Sequence, residues 1–76
     1  MSRRPVQEVL EENLRYYAKR RKLALSVLAE RAGVSQRQMF GVLSGERAPT
    51  IVWLEKVALE LDIDVHKLLV DRNAGR

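Results

Sequence analysis

Cysteine is absent from this 76-residue chain, and histidine occurs once, as His66. Without thiols there is no disulfide framework, no thiol nucleophile and no Cys-ligated zinc site. One histidine leaves a His-rich metal site and histidine-based catalysis poorly supplied, so no metal, no cofactor and no role for His66 are expected. No apolar run approaches the ~18 residues a membrane span needs. No segment alternates polar and apolar at every second residue, as a strand would. The start, Met1-Ser2-Arg3-Arg4-Pro5, runs into polar Gln7-Glu8 and Glu11-Glu12 rather than an apolar leader core, so a cytoplasmic protein is expected. Met1 and a polar tail suit a complete small protein. Proline occurs twice and glycine four times. Repeats, low-complexity stretches and internal linkers are missing, which leaves a single domain.

What is present is apolar residues and positive charge. Hydrophobic residues make up 46% of the chain, enough for a small core and too many for a disordered tail. At this size the core is marginal, and oligomerisation is a common remedy. The net charge is +4, unevenly distributed. Residues 1–49 hold ten Lys/Arg against five Asp/Glu, and residues 50–76 hold four against five. The densest block is Lys19-Arg20-Arg21-Lys22. A basic face favours a polyanion, most simply nucleic acid; it also suits a solvated helix C-terminus.

The punctuation predicts five short helices. Pro5 opens the first, about 5–21, whose apolar face carries Val6, Val9, Leu10, Leu14 and Tyr17. Leu25, Leu28, Ala29 and Ala32 form a second that stops at Gly33. Ser35 caps a third, Gln36 to Leu43, with Met39 and Val42 buried. Ser44-Gly45 ends it, and Glu46-Arg47-Ala48-Pro49 is a loop. Thr50 caps a fourth, about 51–61, with Ile51, Leu54, Val57, Ala58 and Leu61 inward. Asp64 caps a fifth, Val65 to Val70. The core spans about 5–70, residues 1–4 form a basic arm, and residues 71–76 a frayed tail.

The second and third helices, joined at Ala32-Gly33-Val34-Ser35, have helix-turn-helix spacing. The capped end of the third carries partial positive charge and can approach a phosphate. Gln36, Arg37 and Gln38 follow in its first turn, the part that enters the major groove in such motifs. Gln can bond adenine at N6 and N7, and Arg can fork onto guanine at O6 and N7. Two helices joined at a glycine also occur in proteins that bind nothing.

Leu28-Ala29-Glu30-Arg31-Ala32-Gly33-Val34-Ser35, Gly45-Glu46-Arg47-Ala48-Pro49-Thr50, Leu59-Glu60-Leu61-Asp62-Ile63-Asp64 and Leu68-Leu69 together resemble the Cro/C1-type (Xre) helix-turn-helix family over about residues 10–70. The resemblance implies an all-α, five-helix, lambda-repressor-like DNA-binding domain. It implies DNA binding through the third helix, and a homodimer on an inverted-repeat operator. Its base contacts would be Gln36, Arg37, Gln38 and, where the family often places a longer side chain, Gly41. Ser35, Ser44, Gly45 and Arg47 match positions near phosphates. Charge alone adds Arg3, Arg4, Arg20 and Arg21 to the phosphate set.

Three departures from the family pattern stand out. The second helix usually opens with Thr or Ser followed by Gln; here the residues are Ala24 and Leu25. An Arg of the first helix often pairs with a Glu late in the third; here these are Ala18 and Leu43, two apolar groups expected to pack together. Phe40 replaces a common polar residue. It could touch a DNA sugar or thymine methyl, and packing against the first helix is the favoured expectation.

Trp53 reads either as a lid on the core or as an anchor between subunits. With Val65, Leu68 and Leu69 it marks the candidate dimer surface. The expected function is a small sequence-specific transcriptional regulator; a phage repressor, a restriction–modification controller or an antitoxin all suit. The alternative is a protein-interaction module that kept the fold, favoured if Leu25, Phe40 and Leu43 are exposed together. No small-molecule ligand is expected. Glu8, Glu11 and Glu12 could be called paired catalytic carboxylates, but they fit a solvated acidic helix start, and no enzyme activity is expected.

Overall fold

The computed structural model describes residues 4–72. Five helices follow in order: α1 (Val6–Arg20), α2 (Leu25–Ala32), α3 (Gln36–Ser44), α4 (Ile51–Leu61) and α5 (Val65–Leu69). No strand occurs among the described residues, and no described helix is long and apolar enough to cross a membrane.

Capping chemistry sets the boundaries. Ser35 Oγ accepts from the Gln38 N–H at 3.0 Å, and Thr50 Oγ1 accepts from the Trp53 N–H at 3.0 Å. Each satisfies one donor that a helix start leaves without an intrahelical partner. Asp64 occupies the corresponding place before α5, but its side chain makes no capping bond. Gly33 closes α2 at φ +76° and Gly45 closes α3 at φ +84°, a left-handed conformation that glycine adopts without steric cost.

The core lies where one stripe from each helix converges. Leu10, Leu14 and Ala18 of α1 meet Leu28 and Ala29 of α2, Met39, Val42 and Leu43 of α3, and Leu68 of α5. α4 adds Trp53, Leu54, Val57, Ala58 and Leu61. α1 packs on α5, α3 and α2, and α4 packs on α2 and α5. Ala18 and Leu43 are both buried in this cluster.

Two expected core residues are on the surface: Val6 is 60% exposed and Ile51 is 75% exposed. Each is the first residue of its helix. Ile51 shares a helical face with Ala58 but stands two turns before it, outside the layer that covers Ala58. Periodicity identifies a face, not how far along the axis that face stays covered. Trp53 is a core residue at 5% exposure, and Leu68 is fully buried. Both are consumed inside the protomer and cannot serve as dimer-surface side chains; Leu69 is exposed and Val65 half-buried.

The C-terminal segment is held more firmly than a frayed tail. Asn13, a buried polar residue in the middle of α1, donates from Nδ2 to the carbonyls of Leu68 and Val70, both at 2.9 Å. Its Oδ1 accepts from Arg72 Nε at 3.0 Å. The Arg72 guanidinium lies over the Tyr16 ring, 3.6 Å from its centroid. Arg4 bonds Asp71 through Nε at 3.0 Å and Nη2 at 2.7 Å, and Glu12 through Nη1 and Nη2. Asp71 and Arg72 are therefore docked on α1, and Arg4 is an ion-pair partner rather than part of a free basic arm. Arg3 and the expected tail residues 73–76 lie outside the described residues.

Candidate nucleic-acid interface

α2 and α3 are joined through Gly33, Val34 and Ser35. Gly33 N–H donates to Glu30 O at 3.2 Å and Val34 N–H to Ala29 O at 3.0 Å, which folds the turn back on the end of α2. α3 then divides into two faces. Met39, Val42 and Leu43 point into the core, and Gln36, Arg37, Phe40 and Ser44 point out, with Gly41 half-buried among them. Three- and four-residue spacing produces both stripes. A shallow hollow on the outer face is lined by Gln36, Arg37, Phe40, Gly41, Ser44 and Arg47, with Glu46 at its edge.

The three expected base readers, Gln36, Arg37 and Gln38, are all exposed at the start of α3. Arg37 and Gln36 share the hollow. Gln38 lines a neighbouring cleft with Arg47, Thr50 and Trp53 between α3 and the start of α4. Gln36 is not unengaged: its Nε2 donates to the Ser26 carbonyl of α2 at 2.6 Å. With Ala24 and Leu25 offering no polar side chain, Gln36 is braced by α2 backbone. Bidentate recognition of adenine needs both its amide nitrogen and its oxygen, so that bond has to be shared or released.

Phe40 is not buried, as the expected packing against α1 would make it. It is 49% exposed, because its position falls on the outward stripe beside Arg37 and Gly41 rather than on the Met39–Val42–Leu43 stripe. Gly41 is not an open gap: its neighbour across the surface is the Arg47 side chain. Ser44 is tied locally, its Oγ donating to Gly41 O at 3.1 Å and accepting from Glu46 N–H at 3.4 Å.

In the basic block at the end of α1, one arginine is engaged locally. Arg20 Nη1 donates to Tyr16 Oη at 3.3 Å and its guanidinium lies 5.7 Å from the Tyr16 ring centroid. Asn13 and Tyr16 of α1 hold the C-terminal segment. Gln7, on the opposite side of the same helix, is the residue that meets α3. Arg20 is thus engaged within α1 itself. Arg21 is exposed at the helix end. Of the acidic start, Glu12 is paired with Arg4 and Glu11 with Arg15 at 3.3 Å. The hydrogen bonds that Arg4 donates hold the Glu12 carboxyl below its ordinary range, and donating to Glu12 and then to Asp71 holds the Arg4 guanidinium still more firmly protonated.

One residue that positions the interface, Gln7, and one that holds the C-terminal segment, Asn13, were not singled out in the sequence. Gln7 Nε2 donates to the carbonyls of Val42 and Leu43, both at 3.3 Å, closing the C-terminal end of α3 from α1. Nothing in the sequence distinguishes Gln7 from any polar residue of a first helical turn. Asn13 had a signal: a polar residue at the spacing of the apolar stripe, between Leu10 and Tyr17.

Two curated relatives match with 33% identity over 66 residues, 86% of this chain: the HTH-type transcriptional regulators SinR of Bacillus subtilis and of Bacillus licheniformis. The chain spans 60% of the length of each. Among solved structures, the N-terminal DNA-binding domain of SinR from Bacillus subtilis superposes with a TM-score of 0.79 at 33% identity. That match covers 87% of this chain and 97% of that domain. The restriction-modification controller protein C.AhdI from Aeromonas hydrophila gives 0.75 at 27% identity, over 82% of this chain and 94% of that one. No family model matched.

Proposed function

Since this chain belongs to the Cro/C1-type helix-turn-helix family, we propose that it is a sequence-specific DNA-binding transcriptional regulator that reads an inverted-repeat operator as a homodimer. The observation that carries the reading is the first turn of α3. It is capped by Ser35 and exposes Gln36, Arg37 and Gln38 together on a helix whose other face is locked into the core. α3 enters the major groove, its first-turn side chains address base edges, and its N-terminal dipole faces the backbone phosphates. Relatives that are a regulator and a controller protein support the same reading. The chemistry required is recognition, not bond making, and no enzyme activity is assigned.

The competing reading, a protein-interaction module, would be favoured by Leu25, Phe40 and Leu43 forming one exposed apolar patch. Leu43 is 5% exposed and Leu25 is half-buried, so Phe40 stands without them. Selection from a random duplex library at about 150 mM salt, where non-specific phosphate binding is weakened, tests the proposal. The expected result is an enriched inverted repeat with half-site centres about 10–10.5 base pairs, or a multiple, apart. Enrichment of one unrepeated site removes the dimer, and no enrichment by folded protein removes the function.

A further inference from the structure

Arg47 lies in the loop after α3 and is tied to that helix at Gly41. Its backbone N–H donates to the Gly41 carbonyl at 3.1 Å, which turns the loop back over α3. Its side chain then lies across the helix at Gly41. A Cβ on residue 41 would stand 2.7 Å from Arg47 Cδ, 3.0 Å from Cγ and 3.2 Å from Nε, closer than any of the three could tolerate unmoved. Gly41 lies one turn after Arg37 on the outer stripe, so the surface space its missing side chain leaves is filled by the stem of Arg47. Arg47 lines the same hollow as Gln36 and Arg37, and also the neighbouring cleft lined by Gln38. It makes no ion pair among the described residues, although Glu46 is its chain neighbour. A glycine inside a helix also disfavours the helix, which gives its presence at position 41 a need to explain.

We propose that Arg47 reads a base in the major groove, delivering from the loop the side chain that position 41 of α3 lacks. Guanine is its target, because a guanidinium matches O6 and N7 as a bidentate fork. Gly41 acts as the seat of that arginine and determines specificity without touching DNA. The proposal rests on the operator-binding function above and adds to it one residue and one base.

The test begins with the operator selected by the wild-type protein. Affinities of wild type, Arg47→Ala and Gly41→Ala are then measured on that operator and on every single-base-pair variant of one half-site, over a range of salt. Arg47→Ala is expected to lose discrimination at one G·C pair by about 5- to 150-fold, the span of a lost bidentate contact, and to keep it elsewhere. Gly41→Ala adds a Cβ that displaces only a flexible arginine stem and removes a helix-disfavouring residue. It is expected to melt no lower than wild type and to lose discrimination at the same pair. If Arg47→Ala instead weakens binding equally on all sequences and lowers the salt slope by about one, while Gly41→Ala changes nothing, Arg47 is a phosphate contact and the proposal is wrong. Should folded wild-type protein select no sequence at all, the operator-binding function falls first and this proposal with it. The two failures are therefore distinguishable.

Discussion

Asn13 shows how one side chain can close two distant parts of a small chain. Its amide nitrogen serves two carbonyls at the end of α5, its oxygen serves Arg72, and it is 1% exposed. Asn13→Ala leaves those carbonyls unserved and opens a small void, so a loss of about 2–3 kcal/mol is expected. In a domain of this length that lowers the melting temperature by about 10 °C or more, read by thermal circular dichroism; a shift within 2 °C of wild type, taken as roughly under 0.5 kcal/mol, would refute the role. Ala18 and Leu43 offer a paired test. Ala18→Arg alone puts an unpartnered charge into a core position that is 2% exposed. It should cost about 3–5 kcal/mol, and adding Leu43→Glu should recover part of that loss. An unchanged melting temperature for Ala18→Arg would show that the position has room to expel the arginine. Both positions were marked in the sequence by their joint departure from a charged pair, which a lone apolar substitution would not have signalled.

Among the elements, α1 is the frame on which the others are mounted. Leu14 and Ala18 reach the core, Gln7 closes α3, Asn13 and Tyr16 hold the segment after α5, and Glu12 pairs with Arg4, just before the helix, which bonds Asp71. The ion-pair part of this frame is pH-dependent, with a definite sign. Hydrogen bonds from Arg4 lower the folded-state pKa of Glu12, so its contribution is present above its unfolded value, about 4.3, and is lost as pH falls through the folded value. Melting curves of wild type and Glu12→Gln should differ by a constant amount above about pH 5 and converge as pH is lowered through the carboxylate range. A constant difference down to the acid limit would exclude the linkage. Helix limits were legible in the chain because their causes are local: Ser35 and Thr50 cap, and Gly33 and Gly45 stop. The outward stripe of α3 was legible for the same reason. The long-range bonds of Gln7, Arg4, Asp71 and Arg72 were not, since nothing in a linear pattern says which distant carbonyl or carboxylate a polar side chain will meet. Phe40 was misplaced for a related cause: an aromatic residue suggests burial, and only the helix phase, set by Met39, Val42 and Leu43, turns it outward.

The whole molecule measures 37 × 25 × 19 Å, and its nine-residue α3 is about 13–14 Å long at 1.5 Å per residue. Such a helix addresses one short half-site. Two half-sites one helical turn apart lie ~34 Å from centre to centre, so a single protomer cannot place recognition elements in both. An inverted-repeat operator therefore requires two copies of this chain, with their α3 helices presented on one side of the duplex. Titration of the selected operator, followed by sedimentation velocity, should saturate at two protomers per duplex. Inverting the spacing to add half a turn, about five base pairs, should reduce affinity sharply, because it turns one half-site to the far side of the helix. A duplex carrying a single half-site should bind one protomer with weaker affinity and a shallower salt dependence, since fewer phosphates are neutralised. One protomer at saturation on the intact repeat, with no effect of half-turn spacing, would mean that this fold recognises DNA as an independent reader.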